Sequence, residues 1–134
     1  MEITNQIQTH SLNHLLHNED YCRRVIPYLK KEYFEGPHKT VFDLIVSFVH
    51  KHNKLPTGKV LELELQKLNA HEEIINSAGQ LIQELKTKSD LDTEYLINET
   101  EKWCKERSVY LAIMESINII DGKDKEKTEG SIPE

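Results

Sequence analysis

The fold of this chain is decided by the stretch HKTVFDLIVSFVHKHNKLPTGKVLELELQKL, residues 38–68, because it combines the strongest helical pattern with the clearest break. Its first apolar residues recur every three or four positions, as on one face of an α-helix: Val41, Leu44, Ile45, Phe48 and Val49. Pro56 ends this helix, and Thr57 can cap the next one, which continues with Leu61 and Leu65. Two apolar helices joined by a short turn are not stable alone, so the flanking segments must complete the core.

The length and composition indicate one helical domain. The chain has 134 residues, of which 37% are hydrophobic and 30% are charged, and a chain of this size can bury a core without disulfides. Cys22 and Cys104 lack metal-site spacing, so we expect reduced thiols. No apolar run approaches the roughly 20 residues that cross a bilayer, and the first residues lack signal-peptide features. We therefore expect a cytoplasmic protein.

The charge of the chain is unevenly distributed. Residues 1–68 contain nine Lys and Arg against eight Asp and Glu, whereas residues 69–134 contain eight against fifteen. The two halves therefore carry net charges of +1 and -7, which sum to the formal charge of -6. A domain that binds nucleic acid by itself needs a basic face, so we expect little DNA affinity from this chain.

The other segments extend the helical pattern on both sides. Asn18 is the predicted N-cap of a helix that Pro27 should kink or divide, and Phe34 is expected to lie under the helix that starts near His38. A further amphipathic helix is predicted over residues 72–86. Either Ser89 or Asp92 then caps the last helix. The predicted fold is all-α.

The last helix, predicted over residues 93–120, would be about 40 Å long, which is more than a compact domain of this size requires. Large side chains repeat along it every seven residues, namely Leu96, Trp103, Tyr110 and Ile117. We predict that Trp103, Tyr110, Met114 and Ile117 contact another copy of the chain. The alternative is a hairpin core formed with residues 72–86, which explains the same residues.

Catalytic chemistry is not indicated by any motif. The sequence lacks both the G-x-x-x-x-G-K-[ST] phosphate loop and the G-x-G-x-x-G turn. His10, His14 and His17 share a helix face, which allows a metal-dependent helical enzyme, but a solvated face is the expected interpretation. We therefore assign no catalytic, cofactor-binding or metal residue.

The predicted domain organisation has three parts. Residues 1–69 form a helical head, residues 70–120 form a helical hairpin, and residues 121–134 begin with the polar stretch DGKDKEKTEGS, typical of a linker. Ile132, Pro133 and Glu134 resemble the start of a further segment, so we expect the chain to be the first part of a longer protein.

A family resemblance rests on four groups of residues in order. They are Leu15-Leu16 with Asn18-Glu19, then Leu29, Lys30, Glu32 and Phe34, then His38, Phe42 and Ile45, and finally Pro56, Thr57, Leu61 and Leu65. This order and spacing resemble the N-terminal domain of DnaB-type replicative DNA helicases, and most of all that of the T4-type bacteriophage helicases.

The resemblance implies a small helical head followed by a helical hairpin, which in that family forms a collar on a hexameric ring. It implies self-association as a dimer, trimer or hexamer, docking of primase in a primosome, and passage of single-stranded DNA through the ring. ATP and magnesium would bind a motor domain absent from this chain, in the cytoplasm of an infected bacterium. The alternative is a free-standing helical phage adaptor or regulator that binds a host protein.

Overall fold

The computed structural model describes the backbone of residues 2–130 and the side-chain surroundings of residues 6–121. Over those residues the chain is helical, with six α-helices, one short 3-10 helix and no strand. The elements are α1 (Glu2–His17), α2 (Glu19–Val25), the 3-10 helix (Lys31–Tyr33), α3 (Gly36–His52), α4 (Gly58–Gln66), α5 (Glu72–Leu85) and α6 (Thr93–Gly130). This confirms the predicted all-α class.

The chain divides into two compact units, Met1–Cys104 and Lys105–Glu134. In the first unit α3 contacts α1, α4 and α5, and α4 also contacts α5. α5 packs on α3 and α4, which belong to the predicted head of residues 1–69; the division into a head and a helical hairpin stays a prediction. The core residues of α5 are Ala78, Leu81, Ile82 and Leu85, all at most 5% exposed.

The stretch that decides the fold forms the predicted pair of helices. Val41 and Ile45 of α3 are fully buried, as is Leu61 of α4. α3 ends at His52, with Asn53 in the left-handed conformation at φ 58°, a position that asparagine tolerates better than most residues. The predicted cap of α4 is confirmed, because Thr57 Oγ1 accepts a hydrogen bond from the Val60 amide at 3.2 Å.

In the segment between α1 and α3, the helix also begins and ends where its capping residue and its proline predict. Asn18 caps α2 through a 3.0 Å hydrogen bond from the Tyr21 amide to its side-chain oxygen. α2 ends at Val25, before Pro27, as expected for a residue that cannot continue the hydrogen-bond ladder. Phe34 is 2% exposed and stacks on Phe42 of α3 with ring centroids 4.5 Å apart, which confirms its predicted place.

The last helix is longer than predicted. Asp92 caps it, since its Oδ2 accepts a 2.9 Å hydrogen bond from the Tyr95 amide, and the helix continues to Gly130. It thus includes most of the polar segment predicted as a linker, which is rich in lysine and glutamate, residues with high helix propensity. The role of that segment as a linker stays a prediction, and the predicted opening of a further segment at residues 132–134 lies outside the described residues.

Candidate protein-protein interface

An exposed apolar surface lies on α6 in the second unit. Its residues, here called the apolar arc, are Val109, Tyr110, Ile113, Met114, Ile117 and Ile120. With 3.6 residues per turn these positions fall within about 140° of the helix circumference. Their side chains are between 38% exposed, for Met114, and 59% exposed, for Val109. A contiguous set of large apolar side chains open to water is typical of a protein contact.

Two contacts are seen along the apolar arc among the described residues. Arg107 lies over the ring of Tyr110, with its guanidinium carbon 5.0 Å from the ring centroid, a cation-π geometry, and Tyr110 is still 50% exposed. Ser116 turns its hydroxyl back onto the Ala112 carbonyl at 3.0 Å. Neither contact buries the aliphatic side chains of the arc.

The four residues predicted for contact between copies divide into two groups. Tyr110, Met114 and Ile117 belong to the apolar arc, whereas Trp103 is only 5% exposed in the first unit. The Trp103 indole meets the ring of Phe34 edge-on at 5.1 Å and that of Tyr33 at 6.2 Å. Trp103 is therefore part of the core of its own unit, and its ring is not available at the surface.

Three residues of the apolar arc were not among those predicted from the sequence to contact another copy. Val109, Ile113 and Ile120 lie on the same side of α6 as Tyr110 and Ile117. A strict seven-residue repeat favours single positions, whereas plotting every residue at 100° intervals would have grouped all six. The missed signal was thus present in the sequence.

The histidines of α1 contact the end of α5 and the loop between α5 and α6. His10 Nδ1 lies 3.2 Å from Ser89 Oγ, His14 Nε2 donates to the Leu91 carbonyl at 3.1 Å, and His17 Nε2 donates to the Leu85 carbonyl at 2.7 Å. The expectation of a solvated histidine face was wrong, because the loop covers that face. Among the described residues there is no cluster of His, Cys, Asp or Glu that could hold a metal ion.

Burial changes the chemistry of two of the histidines. His14 is 4% exposed, and burial lowers its pKa below the usual 6.5 because a charged imidazole is poorly solvated there. Burial also lowers the pKa of His38, whose Nε2 lies 2.8 Å from Thr9 Oγ1. Both side chains therefore act as neutral hydrogen-bonding groups at neutral pH.

The first turns of α6 are fixed by polar contacts to α2. Asn18 Nδ2 donates to Thr93 Oγ1 at 2.8 Å, and Arg24 pairs with Glu94 at 2.7 Å. The Tyr21 hydroxyl lies 2.7 Å from Thr100 Oγ1 in the interior, where burial raises the pKa of Tyr21 to about 12. These contacts fix the position of the first turns of α6 within the first unit.

The fold and this surface define a small all-α domain with a helix face suited to a protein contact. None of its described helices is long and apolar enough to cross a membrane. No protein-family model matches the chain.

A relative is found in phage T4. The chain is 34% identical over 109 residues to the DnaB-like replicative helicase of Enterobacteria phage T4, and the match covers 81% of this chain. The chain spans 23% of the length of that relative. This similarity supports a relationship to DnaB-like phage helicases.

Proposed function

We propose that this chain is the N-terminal collar domain of a phage replicative DNA helicase, which supports hexamer assembly and docks primase at the replication fork. The observation that carries the proposal is the similarity to the T4 DnaB-like helicase, which extends over 81% of this chain but only 23% of the relative. A match that covers most of the shorter chain and a small part of the longer one is expected when a single domain is compared with a whole multidomain protein.

In this proposal the chain is not an enzyme by itself. ATP-driven unwinding is performed by a C-terminal RecA-like domain that is not in this chain, and ATP with magnesium binds there. The sequence supports this division because it contains no phosphate-binding loop. The collar holds the motors at a common radius, in the cytoplasm of the infected host.

The apolar arc is the surface proposed for self-association into a dimer, trimer or hexamer collar. Tyr110, Met114 and Ile117 belong to it, and complete burial of a side chain such as Met114 or Ile117 contributes roughly 1.5–3 kcal/mol. The charge pattern gives the chain little affinity for DNA, so single-stranded DNA would pass through the ring formed by the full-length protein. Primase would bind the assembled collar.

Sedimentation velocity over a range of concentrations tests self-association. Ile117→Lys places a charge in the apolar arc, whereas Ile119→Lys places one on the opposite side of α6, at a position that is 51% exposed. We expect Ile117→Lys to weaken association at least tenfold, corresponding to about 1.4 kcal/mol, and Ile119→Lys to match the wild type. Equal association by both variants would exclude the arc as the contact.

A second measurement tests the proposed primase docking independently. The chain is titrated with the primase encoded by the same genome, and binding is followed by isothermal titration calorimetry. Binding that Ile117→Lys weakens together with self-association supports a collar that primase recognises when assembled. An absence of binding at concentrations where the wild-type chain is oligomeric would contradict the primase part of the proposal but not the collar part.

A further inference from the structure

A cleft of about 340 Å³ opens in the first unit where the end of α2 meets the turn between α3 and α4. Most of its walls are apolar and come from Cys22, Ile26, Pro27, Val49 and Leu55. Volumes of ligand pockets run from roughly 300 to 1,000 Å³, so this cleft is suited to one or two side chains. The Cys22 thiol is 6% exposed, and burial raises its pKa, so the cysteine contributes a neutral apolar wall.

Positive charge predominates around this cleft. Arg23 and Lys54 line it together with a single acid, Glu19, which gives two positive charges against one negative charge. Both cations are exposed, and neither is among the ion-paired side chains of the described part of the chain. Arg24, by contrast, pairs with Glu94 at 2.7 Å. The cleft thus combines apolar walls with two cations that form no ion pair with an acid among residues 6–121.

We propose that this cleft binds an acidic segment of another protein, with an apolar side chain in the cleft and carboxylates beside Arg23 and Lys54. Burial of the apolar side chain would supply most of the affinity. The two cations would orient the segment and accelerate its encounter, because opposite charges steer association. The site uses no residue of the apolar arc and is independent of the proposed self-association.

A purely structural role for the two cations must be separated from a binding role. Arg23 lies in the last turn of α2, and Lys54 follows Asn53, the C-cap of α3. Positive side chains stabilise helix C-termini, where unpaired carbonyl groups carry a partial negative charge. Stability and binding must therefore both be measured for the same variants.

The test uses the isotopically labelled chain and a defined probe peptide. The probe is a capped hexapeptide with a leucine-phenylalanine pair between two aspartates on each side, and amide chemical shifts are followed during the titration. We expect the shifts to be confined to residues 19–27 and 49–55 and the affinity to fall with added salt. The double variant Arg23→Glu with Lys54→Glu should bind at least about tenfold more weakly.

Two matched controls separate the effect of the cleft residues from that of net charge. The double variant Lys39→Glu with Lys105→Glu changes the net charge equally at two exposed positions that are not among the residues lining the cleft, and it should bind the probe like the wild type. A second peptide carries serines in place of the four aspartates and should bind about tenfold more weakly than the acidic probe.

Four results would overturn the proposal. The first is equal affinity for the acidic and serine peptides, and the second is the absence of cleft shifts at about 1 mM probe, the weak end of specific binding. The third is the same shifts on concentrating the chain without peptide, which would make a second copy the occupant. The fourth is a Glu double variant with a lower unfolding midpoint but unchanged affinity, which would restrict the cations to the helix ends.

Discussion

Tyr21→Phe removes a single buried hydroxyl that connects three helices. The Tyr21 side chain is fully buried, and its hydroxyl donates to Ser11 Oγ of α1 at 2.8 Å. The same oxygen lies 2.7 Å from Thr100 Oγ1 of α6 and accepts that hydrogen bond. The phenol of tyrosine is protonated at neutral pH, and burial raises the pKa of Tyr21 further, to about 12, so one proton is available for the donated hydrogen bond.

The expected cost follows from the two contacts. A neutral hydrogen bond contributes roughly 0.5–1.5 kcal/mol, and a buried partner left without one adds to the loss. Tyr21→Phe should therefore lower the free energy of unfolding by about 2 kcal/mol. For a unit of about 100 residues this corresponds to a fall in Tm of roughly 8–16 °C.

Urea and thermal unfolding, monitored by circular dichroism, measure this loss. Tyr28→Phe is the matched control, because Tyr28 is 53% exposed and should change the free energy of unfolding by less than about 0.5 kcal/mol. A double-mutant cycle with Thr100→Val should give a coupling energy of roughly 1 kcal/mol. A cost for Tyr21→Phe no larger than that of the control, or a coupling energy of zero, would refute the proposed link between α2 and α6.

Two further predictions concern the same unit. Stability should fall as the pH drops below about 6.5, the usual pKa of histidine, because His14 and His38 have lowered pKa values in the fold and the unfolded chain binds the additional protons. Each histidine contributes at most about 1.4 kcal/mol per pH unit to this loss of stability. Urea unfolding midpoints at pH 7.5 and pH 5.5 measure it. The difference between the two midpoints should be smaller for His14→Gln than for the wild type. In the same assay Trp103→Ala should lower the free energy of unfolding by about 3–5 kcal/mol. Tyr110→Ala, at a position that is 50% exposed, should lower it by less than about 1 kcal/mol. A similar loss for both variants would show that Trp103 is not a core residue.

The local features of the fold could be predicted from the sequence because they depend on neighbouring residues. The caps at Asn18 and Thr57 need only a side-chain oxygen and an amide three residues later. The end of α2 before Pro27 follows from the missing amide proton of proline. The apolar arc also depends on one helix alone, so its residues could have been grouped completely.

The distant contacts could not be predicted in the same way. His14 and its acceptor Leu91 are 77 positions apart, and nothing in helical spacing indicates that a polar face on α1 will be covered by the loop before α6. Trp103 and Tyr110 occupy equivalent positions of the seven-residue repeat. Only the packing of Trp103 against Phe34 separates the two residues.

The sequence by itself determined the all-α class, the order of the helices and most of their ends, because helix formation and capping depend on residues within about one turn. The tertiary structure decided which faces are covered and which remain open. It buries Trp103 and His14 and leaves Tyr110 and Ile117 exposed. Burial depends on partners that are distant in the chain, and side chains with the same spacing along a helix can therefore have opposite environments.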